Sequence, residues 1–307
     1  MERVLRIGTR DSQLAVWQAT LVKDLLAGRG YAAELVFIKS EGDTDLKTPL
    51  YEIGVQGIFT RALDIALLSD EIDIAVHSMK DVPTQLAKGI TQAAVLKRAS
   101  YKDIFVPKAD LAFMDKADGN VTIATSSIRR KAQWLNKFPN HSMENLRGNV
   151  NTRLRKIEEN DWQGAIFAAA GLERIALRPA NAVELDWMLP APAQGAIVVV
   201  CKEADIQAFD ACMNFNDPDT ALCTALERDF LRALMGGCAT PISALAEVNG
   251  EDVTFRGNIL SVDGKQKIEV NKQAKVSDAF TLGKDAAAEL LGLGGQKILD
   301  GIRNATT

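Results

Sequence analysis

The sequence contains only two histidines, His77 and His141, and they lie far apart in the chain. A metal centre built from several imidazoles is therefore excluded, and a Ser-His-Asp triad would need one of these two isolated side chains. Neither a Walker-type phosphate loop nor a G-x-G-x-x-G dinucleotide fingerprint occurs. The sequence therefore contains no His cluster for a metal and neither of these two nucleotide-binding signatures.

Cysteine and long apolar runs are also scarce. The four cysteines form no C-x-x-C pair, which disfavours a zinc site or a redox dithiol and favours free thiols in a reducing compartment. No uncharged apolar run reaches the ~18–20 residues that cross a bilayer, and charges stand where an N-terminal targeting segment would have its apolar core. We therefore predict a cytoplasmic protein without a membrane anchor. The cysteines are Cys201, Cys212, Cys223 and Cys238.

The composition is that of an ordinary globular protein. The chain has 307 residues, of which 47% are hydrophobic and 25% charged, and its formal net charge is −4. At ~100–200 residues per domain, this length allows two or three domains with sizeable cores. Disorder and a small stapled scaffold are excluded. The acidic balance disfavours a general nucleic-acid binder, although a local basic patch is compatible with it.

Strand-like and helix-like patterns alternate over the first two thirds of the chain. Between Val4–Gly8 and Ile72–Val76 they read β-α-β-α-β, which predicts a parallel, doubly wound sheet with ligand sites at the carboxyl ends of its strands. The pattern restarts after 97–102. The turn-rich segment 190–195 then leads to an apolar strand at 196–201 that could return to the first sheet. Two such crossings would form a hinge around a cleft.

The last third has a different pattern. A long helix begins at Asp217, three alternating segments follow, and a C-terminal amphipathic helix is predicted at about Ser277–Arg303. The predicted fold is therefore α/β, with two doubly wound domains and a small C-terminal α+β domain that contains a three-stranded antiparallel sheet. The predicted domains are 1–98 together with 195–214, 99–194, and 215–307.

The segment 129–156 is strongly basic. It holds eight Lys or Arg residues and one acid, Glu144, which gives a local charge of +7 in an acidic chain. An anionic ligand or a solvated helix face would explain this asymmetry, and the planar fork of arginine suits carboxylates and phosphates. Nucleic acid is a weaker alternative because only Trp134 and Phe138 could stack on bases. We expect solvated faces for Lys131, Lys137, Arg155 and Lys156, and anion binding at the predicted strand-helix junctions for Arg129, Arg130, Arg147 and Arg153.

Three shorter features are chemically suggestive. Thr125-Ser126-Ser127 lies where a strand leads into a helix, so its N–H groups and hydroxyls could meet an anion. Lys80 and Asp81 follow a strand, where an acid can act in general acid-base catalysis or stabilise a cation, although an Asp in such a turn is commonly only a turn former. His77 is expected to be a packed, hydrogen-bonded core residue. Cys238 follows a Gly-Gly break and could be a covalent anchor, or an inert thiol.

Seven sequence blocks together resemble the porphobilinogen deaminase family, in the family's order from end to end. The blocks are LRIGTRDSQLA (5–15), HSMKDVP (77–83), TSSIRR (125–130), LRGNVNTR (146–153), AGLER (170–174), QGA (194–196) and GGCATPI (236–242). The resemblance implies a transferase of tetrapyrrole biosynthesis that joins four porphobilinogen molecules head to tail, releases ammonia and yields hydroxymethylbilane. It also implies two larger domains similar to bilobal periplasmic anion-binding proteins, and a monomer whose partner is this small-molecule substrate, not nucleic acid or a membrane.

The resemblance also implies roles for individual residues. The cofactor is a dipyrromethane held by a thioether that falls on Cys238, and the catalytic aspartate is Asp81, with Lys80 beside it. The other implied cofactor-binding residues are Ser78, Thr125, Ser126, Ser127, Arg129, Arg130 and Gly148. The implied substrate-binding residues are Arg10, Ser12, Arg147, Asn149, Arg153, Arg174 and Gln194.

This sequence departs from the family pattern at two places. Glu52 and Gln56 stand where many bacterial relatives have lysines, so we assign no carboxylate binding to the loop that contains them. Met235 replaces a common acidic residue before the Gly-Gly-Cys run and is expected to alter packing near the cofactor. Two other functions compete: a bilobal anion-binding protein without turnover, and a transcription regulator, for which no helix-turn-helix segment is found.

Overall fold

The computed structural model describes residues 3–40, 60–115, 121–235 and 240–306. Within these ranges the strands are β1 (Leu5–Thr9), β2 (Ala33–Phe37), β3 (Ile74–Ser78), β4 (Ile90–Val95), β5 (Asp103–Pro107), β6 (Thr122–Ala124), β7 (Ser142–Glu144), β8 (Gly164–Ala168), β9 (Val183–Glu184), β10 (Ile197–Lys202), β11 (Ile242–Asn249), β12 (Asp252–Leu260) and β13 (Lys267–Lys275). The α-helices are α1 (Gln13–Ala27), α2 (Arg61–Leu68), α3 (Ile128–Lys137), α4 (Val150–Glu159), α5 (Ala169–Glu173), α6 (Ile206–Met213), α7 (Pro218–Ala233), α8 (Leu282–Leu290) and α9 (Gln296–Thr306).

Two five-stranded sheets form the first two thirds of the chain. Their strand orders are β2-β1-β3-β10-β4 and β7-β6-β8-β5-β9. The helices pack on the sheets through separate apolar clusters on the two faces. The predicted α/β class is confirmed, and the strand at 196–201 does return to the first sheet as β10.

Each of these sheets contains one reversed strand, so the predicted parallel sheets are mixed: four strands of each sheet are parallel to one another and the fifth is antiparallel. β10 runs antiparallel to β3 and β4, and β5 runs antiparallel to β8 and β9. Both are the first strands after a crossing between the sheets, and each begins beside the carboxyl end of a neighbour: Ile197 pairs with Ser78, and Asp103 with Ala168. The first crossing (97–102) and the second crossing (190–195) therefore lie at the carboxyl ends of the parallel strands, where doubly wound folds bind ligands.

The third sheet has the order β11-β12-β13 and is antiparallel throughout, as predicted. Its apolar face packs on α7, α8 and α9 around Phe230 and Phe255. The single C-terminal helix that the sequence predicts is wrong: a short turn of helix at Val276–Thr281 precedes α8, and Gly294, at φ +109°, separates α8 from α9. The domain boundaries stay a prediction.

Local capping explains where several helices begin. The side chains of Ser12, Ser127, Asn149 and Asp217 each accept a hydrogen bond from the backbone N–H three residues later, at the start of α1, α3, α4 and α7. Such caps satisfy N–H groups that have no partner in the first turn. Because a cap is formed within four residues, these starts can be recognised in the sequence.

Candidate active site

The end of β3 carries the predicted catalytic pair. Ser78, its last residue, accepts a hydrogen bond from Gln18 of α1 (2.9 Å), and a single helical turn, Met79–Asp81, follows. The Asp81 side chain is exposed, whereas Met79 is buried below it. The turn therefore presents the carboxylate to solvent at the edge where the crossings lie.

Lys80 points toward the second crossing. Its Nζ lies 3.4 Å from Oε1 of Gln194, which is fully buried. Burial, and then the nearby charge of Arg130, lower the pKa of Lys80 to about 8, although Asp81 and Asp103 act in the opposite direction. Because burial is the main cause of this lowered pKa, an anion beside the ammonium group would stabilise its charged form.

Asp103 organises the two arginines at the start of α3. Its carboxylate is fully buried and accepts from Arg130 Nε (2.9 Å) and Gln194 Nε2 (2.9 Å), while Arg129 Nη1 lies 2.7 Å from its Oδ2. Burial raises the pKa of Asp103, but the two arginines outweigh it and hold the pKa at about 2. Asp103 is a site residue that sequence reasoning missed.

Contacts with the protein occupy part of the donor groups of Arg129 and Arg130, for which anion binding is predicted. Arg130 also donates from Nη1 to the carbonyl of Ile166 (3.1 Å), so its guanidinium is engaged on every side by the protein. Arg129 donates to the carbonyl of Leu189 (2.8 Å), and its buried Nε has no hydrogen-bond partner among the residues that the structure describes. Of the two, Arg129 thus retains a donor for a ligand.

The predicted anion-binding strand-helix junctions lie on the second sheet. Thr125 is buried after β6, Ser127 caps α3, and Ser126 between them is partly exposed. After β7, Gly148 adopts φ +111°, and a Cβ there would lie 2.7 Å from Thr152. The conformation and the close approach both require glycine. Asn149 then caps α4.

Arg153 lies one turn into α4 and folds back on this loop. Its Nε donates to the carbonyl of Gly148 (2.7 Å). Burial, followed by the charges of Arg130 and Arg147, lowers the pKa of Arg153 to about 10, against a raising effect of Asp81. We use the name cationic cluster for the five side chains that these interactions bring together: Lys80, Arg129, Arg130, Arg147 and Arg153.

Arg174 lies beside the second crossing. It donates to the carbonyl of Gly195 (2.7 Å), and its guanidinium stands 5.8 Å from the ring centroid of Trp17 of α1. Burial lowers the pKa of Arg174 to about 10. Trp17 was missed by sequence reasoning. A further contact joins α4 of the second sheet's layer to α1 of the first: the side chain of Asn151 donates to that of Gln13 (3.0 Å).

The N-terminal site residues stand next to β3. Arg10 follows β1, and its charge contributes to the lowered pKa of His77, which burial brings to about 4. His77 is packed as predicted, and its Nε2 has no hydrogen-bond partner among the described residues. Ser12 serves as the cap of α1. The structure thus places Arg10 and Ser12 at the carboxyl end of β1, beside the end of β3.

The remaining sequence predictions concern Cys238, the loop with Glu52 and Gln56, Met235 and Arg155. Cys238, Glu52 and Gln56 lie outside the described residues. Met235 is described, and its side chain is 77% exposed, with φ +51°. Arg155 is exposed and pairs with Glu159, as expected for a solvated face. A cavity of about 270 Å³ lies between the second and third sheets, but none of the predicted site residues lines it.

Comparisons with known proteins agree with this arrangement. A family model described as "Porphobilinogen deaminase, dipyromethane cofactor binding domain" matches residues 5–210, and one described as the C-terminal domain matches 221–292. The curated porphobilinogen deaminase of Trichlorobacter lovleyi is 40% identical over 97% of this chain and 96% of its own length. That of Geobacter sulfurreducens is 41% identical over 96% and 93%. The chain belongs to the porphobilinogen deaminase family.

This membership confirms the predicted function, enzyme class and cofactor at the level of the family. A periplasmic substrate-binding protein of an ABC transporter from Coxiella burnetii is similar in structure over 71% of this chain and 94% of that chain, at 14% identity and a TM-score of 0.45. A similarity of this size carries no argument about function. The fold class rests on the three sheets described above.

The residues of this porphobilinogen deaminase family member fit a dipyrromethane. Each pyrrole ring of such a group carries two carboxylates. The cationic cluster has five positive side chains, whereas Asp81 and Asp103 supply only two negative charges beside it. The buried Nε of Arg129 is a donor without a partner among the described residues, and Lys80 and Arg153 have lowered pKa values. A polyanion placed here would compensate the excess positive charge.

Two further findings concern the rest of the chain. Within the described residues no helix is both long enough and apolar enough to cross a membrane. Cys201, Cys212 and Cys223 are free and buried, as predicted, and burial raises the pKa of these thiols to about 11, 12 and 11. These three thiols are therefore protonated at neutral pH and poor nucleophiles.

Proposed function

We propose that this chain joins four porphobilinogen molecules head to tail, with release of ammonia at each step, to give hydroxymethylbilane. The observation that carries the proposal is the cationic cluster beside the exposed Asp81, in a chain of the porphobilinogen deaminase family. A growing chain of pyrroles accumulates carboxylates, and a cleft lined by lysine and arginine neutralises them.

Asp81 is proposed as the catalytic residue. Its carboxylate can accept hydrogen bonds from pyrrole N–H groups and stabilise the cation that forms when the substrate loses ammonia. It can also receive the proton released when the next carbon-carbon bond is made. Lys80, held by Gln194, is placed to bind a carboxylate close to the reacting ring.

The remaining residues are proposed to bind and orient. Cys238 is proposed to hold the dipyrromethane, which supplies, when bound, the nucleophilic carbon that starts the chain. Asp103 fixes Arg129 and Arg130. The buried Nε of Arg129 has no hydrogen-bond partner among the described residues and is proposed to donate to the cofactor. The cofactor is proposed to contact Ser78, Lys80, Asp81, Thr125, Ser126, Ser127, Arg129, Arg130 and Gly148, and the substrate and growing chain Arg10, Ser12, Arg147, Asn149, Arg153, Arg174 and Gln194.

Incubation of the purified protein with porphobilinogen tests the proposed activity. We expect release of ammonia and a product that cyclises to a porphyrin. Saturable binding of porphobilinogen without ammonia release would instead identify a bilobal anion-binding protein. That alternative gives no role to Cys238, whereas the proposed activity requires it.

We further propose that the chain acts as a monomer in the cytoplasm. A monomer is what the family resemblance implies, and the three described cysteines are free thiols, which suits a reducing compartment. Analytical ultracentrifugation of the protein would test the monomer, and a single species of twice the chain mass of 33.3 kDa would overturn it.

We expect kcat/KM to depend on pH through the protonation of Lys80. Its pKa of about 8 means that it is charged below that pH and loses its proton as the pH rises through it. If Lys80 binds a substrate carboxylate, kcat/KM falls above about pH 8, whereas an ordinary lysine would titrate only near ~10.4. In the Lys80→Arg variant the charge persists, so the fall near pH 8 should disappear. Titration of the substrate itself affects both enzymes equally, and identical profiles would contradict the role of Lys80.

We expect variants of the proposed substrate-binding arginines to stall elongation of the pyrrole chain at different lengths. Since a hydrogen bond to a charged group contributes ~1.5–3 kcal/mol, Arg→Leu at Arg147, Arg153 or Arg174 should lower kcat/KM about 10- to 100-fold and leave enzyme with partly elongated chains. Arg155→Leu is the control because Arg155 is exposed and paired with Glu159. Intact-mass spectra after limiting substrate would show the intermediates. The same ladder for all four variants would refute the assignment.

A further inference from the structure

Arg228 of α7 is bonded to the segment that carries Lys80 and Asp81. Its Nη1 donates to the carbonyl of Val82 (2.9 Å) and, more weakly, to that of Met79 (3.3 Å), and its Nη2 donates to that of Pro83 (2.5 Å). The three carbonyls flank the proposed catalytic pair on both sides in the sequence. One side chain therefore fixes both ends of the turn that presents the Asp81 carboxylate.

The contact is unusual for a partly buried cation. Burial, and then the charge of Arg232, lower the pKa of Arg228 to about 10, against a raising effect of Asp229. Its hydrogen bonds to the described residues all go to neutral carbonyls. Burying a charge opposite neutral groups is costly. Lysine lacks the planar fork that reaches three acceptors in fixed directions, so the arrangement specifies geometry rather than charge alone.

Attachment of α7 to the rest of the protein does not depend on Arg228. The preceding residue, Glu227, is fully buried and accepts from Arg98 Nη1 (2.6 Å) and Nη2 (3.0 Å). The same carboxylate accepts from the backbone N–H groups of Ala193 (2.6 Å) and Ala246 (2.8 Å). Glu227 thereby joins α7 to both crossings and to the third sheet. Arg228 instead joins α7 to the turn after β3.

We propose that Arg228 is a positioning residue, which holds the turn at 79–83 against α7 and so sets the place of Asp81 and Lys80 relative to that helix. The proposed cofactor anchor follows this helix in the sequence, since Cys238 stands ten positions after Arg228. This inference rests on the proposed roles of Asp81, Lys80 and Cys238. Among the described residues, Arg228 donates side-chain hydrogen bonds to main-chain carbonyls, and it acts through the pair.

The holoenzyme variants Arg228→Met and Arg228→Lys test the proposal, with Arg232→Met as the control. Arg232 lies one turn further along α7, is half-exposed and pairs with Asp229. Three quantities are measured: cofactor loading by intact mass, amide hydrogen exchange of the peptide that contains 79–83, and kcat and KM of the loaded fraction.

We expect Arg228→Met to load the cofactor, to exchange the amides of 79–83 faster, and to lose about 10- to 100-fold in kcat with a smaller change in KM, because misplacement of a reacting group by ~1 Å can cost ~10² in rate. Arg228→Lys should fall between it and the wild type. Arg232→Met should behave as the wild type in all three measurements.

Unchanged exchange at 79–83, or an unchanged kcat per loaded molecule, would overturn the positioning role. A purely structural role would lower the melting temperature and the yield without altering kcat of the folded, loaded enzyme. If Arg228→Met does not fold, the same criteria apply to Arg228→Lys. A wild-type chain that neither loads a cofactor nor releases ammonia would refute the proposed function, while the exchange measurement would still decide whether Arg228 holds the turn.

Discussion

The Cys238→Ser variant will carry no dipyrromethane and will lose turnover altogether. A thioether needs a sulfur nucleophile, and a serine hydroxyl is far less reactive toward an electrophilic methylene carbon at neutral pH. The described thiols cannot substitute for it, because burial raises the pKa values of Cys201, Cys212 and Cys223 to about 11, 12 and 11.

Mass spectrometry measures this directly. The native protein should be heavier than its sequence by one dipyrromethane, and proteolytic mapping should place the extra mass on the peptide that contains Cys238. Cys212→Ala is the matched control, since Cys212 is a buried thiol of α6, and its protein should carry the full extra mass. A fully active native protein with the bare sequence mass would show that Cys238 is not the anchor.

Asp81→Asn is expected to carry the cofactor and lose most of its turnover. The amide keeps the shape of the side chain but supplies no negative charge to the cation that forms when ammonia leaves. Removal of one such electrostatic stabiliser typically costs ~10²–10³ in kcat. The Asp81 side chain is exposed, and its turn is held by hydrogen bonds that the Arg228 side chain donates to main-chain carbonyls. The substitution should therefore not disturb the fold.

Steady-state kinetics of the loaded Asp81→Asn fraction would measure the loss, with loading taken from the intact mass. Asp110 provides a control: it is an exposed aspartate whose carboxylate accepts from the N–H of Ala112, away from the cationic cluster. Asp110→Asn should retain wild-type kcat. Near-normal turnover by loaded Asp81→Asn protein would remove Asp81 from the proposed mechanism.

Helix starts and the family could be read from the sequence because both depend on short stretches of chain. A cap such as Ser127 or Asn149 is made by a side chain and a backbone N–H three residues apart, so four letters suffice to recognise it. The seven family blocks are likewise local, and the family models confirm them. The break at Gly294 between α8 and α9 was missed because an apolar helical period continues through the glycines, and only the positive φ of Gly294 shows the break.

Tertiary structure alone decided the pairing of the site residues. Asp103 begins a strand and has no local pattern that marks it, yet it meets Arg130 across 27 residues and Gln194 across 91. The reversed directions of β5 and β10 follow from where the chain crosses between sheets, which no hydrophobic period encodes. Sequence therefore determined which residues carry charge and where helices start. Folding decided which charges oppose one another, since hydrogen bonds between distant segments depend on strand order and burial rather than on spacing along the chain.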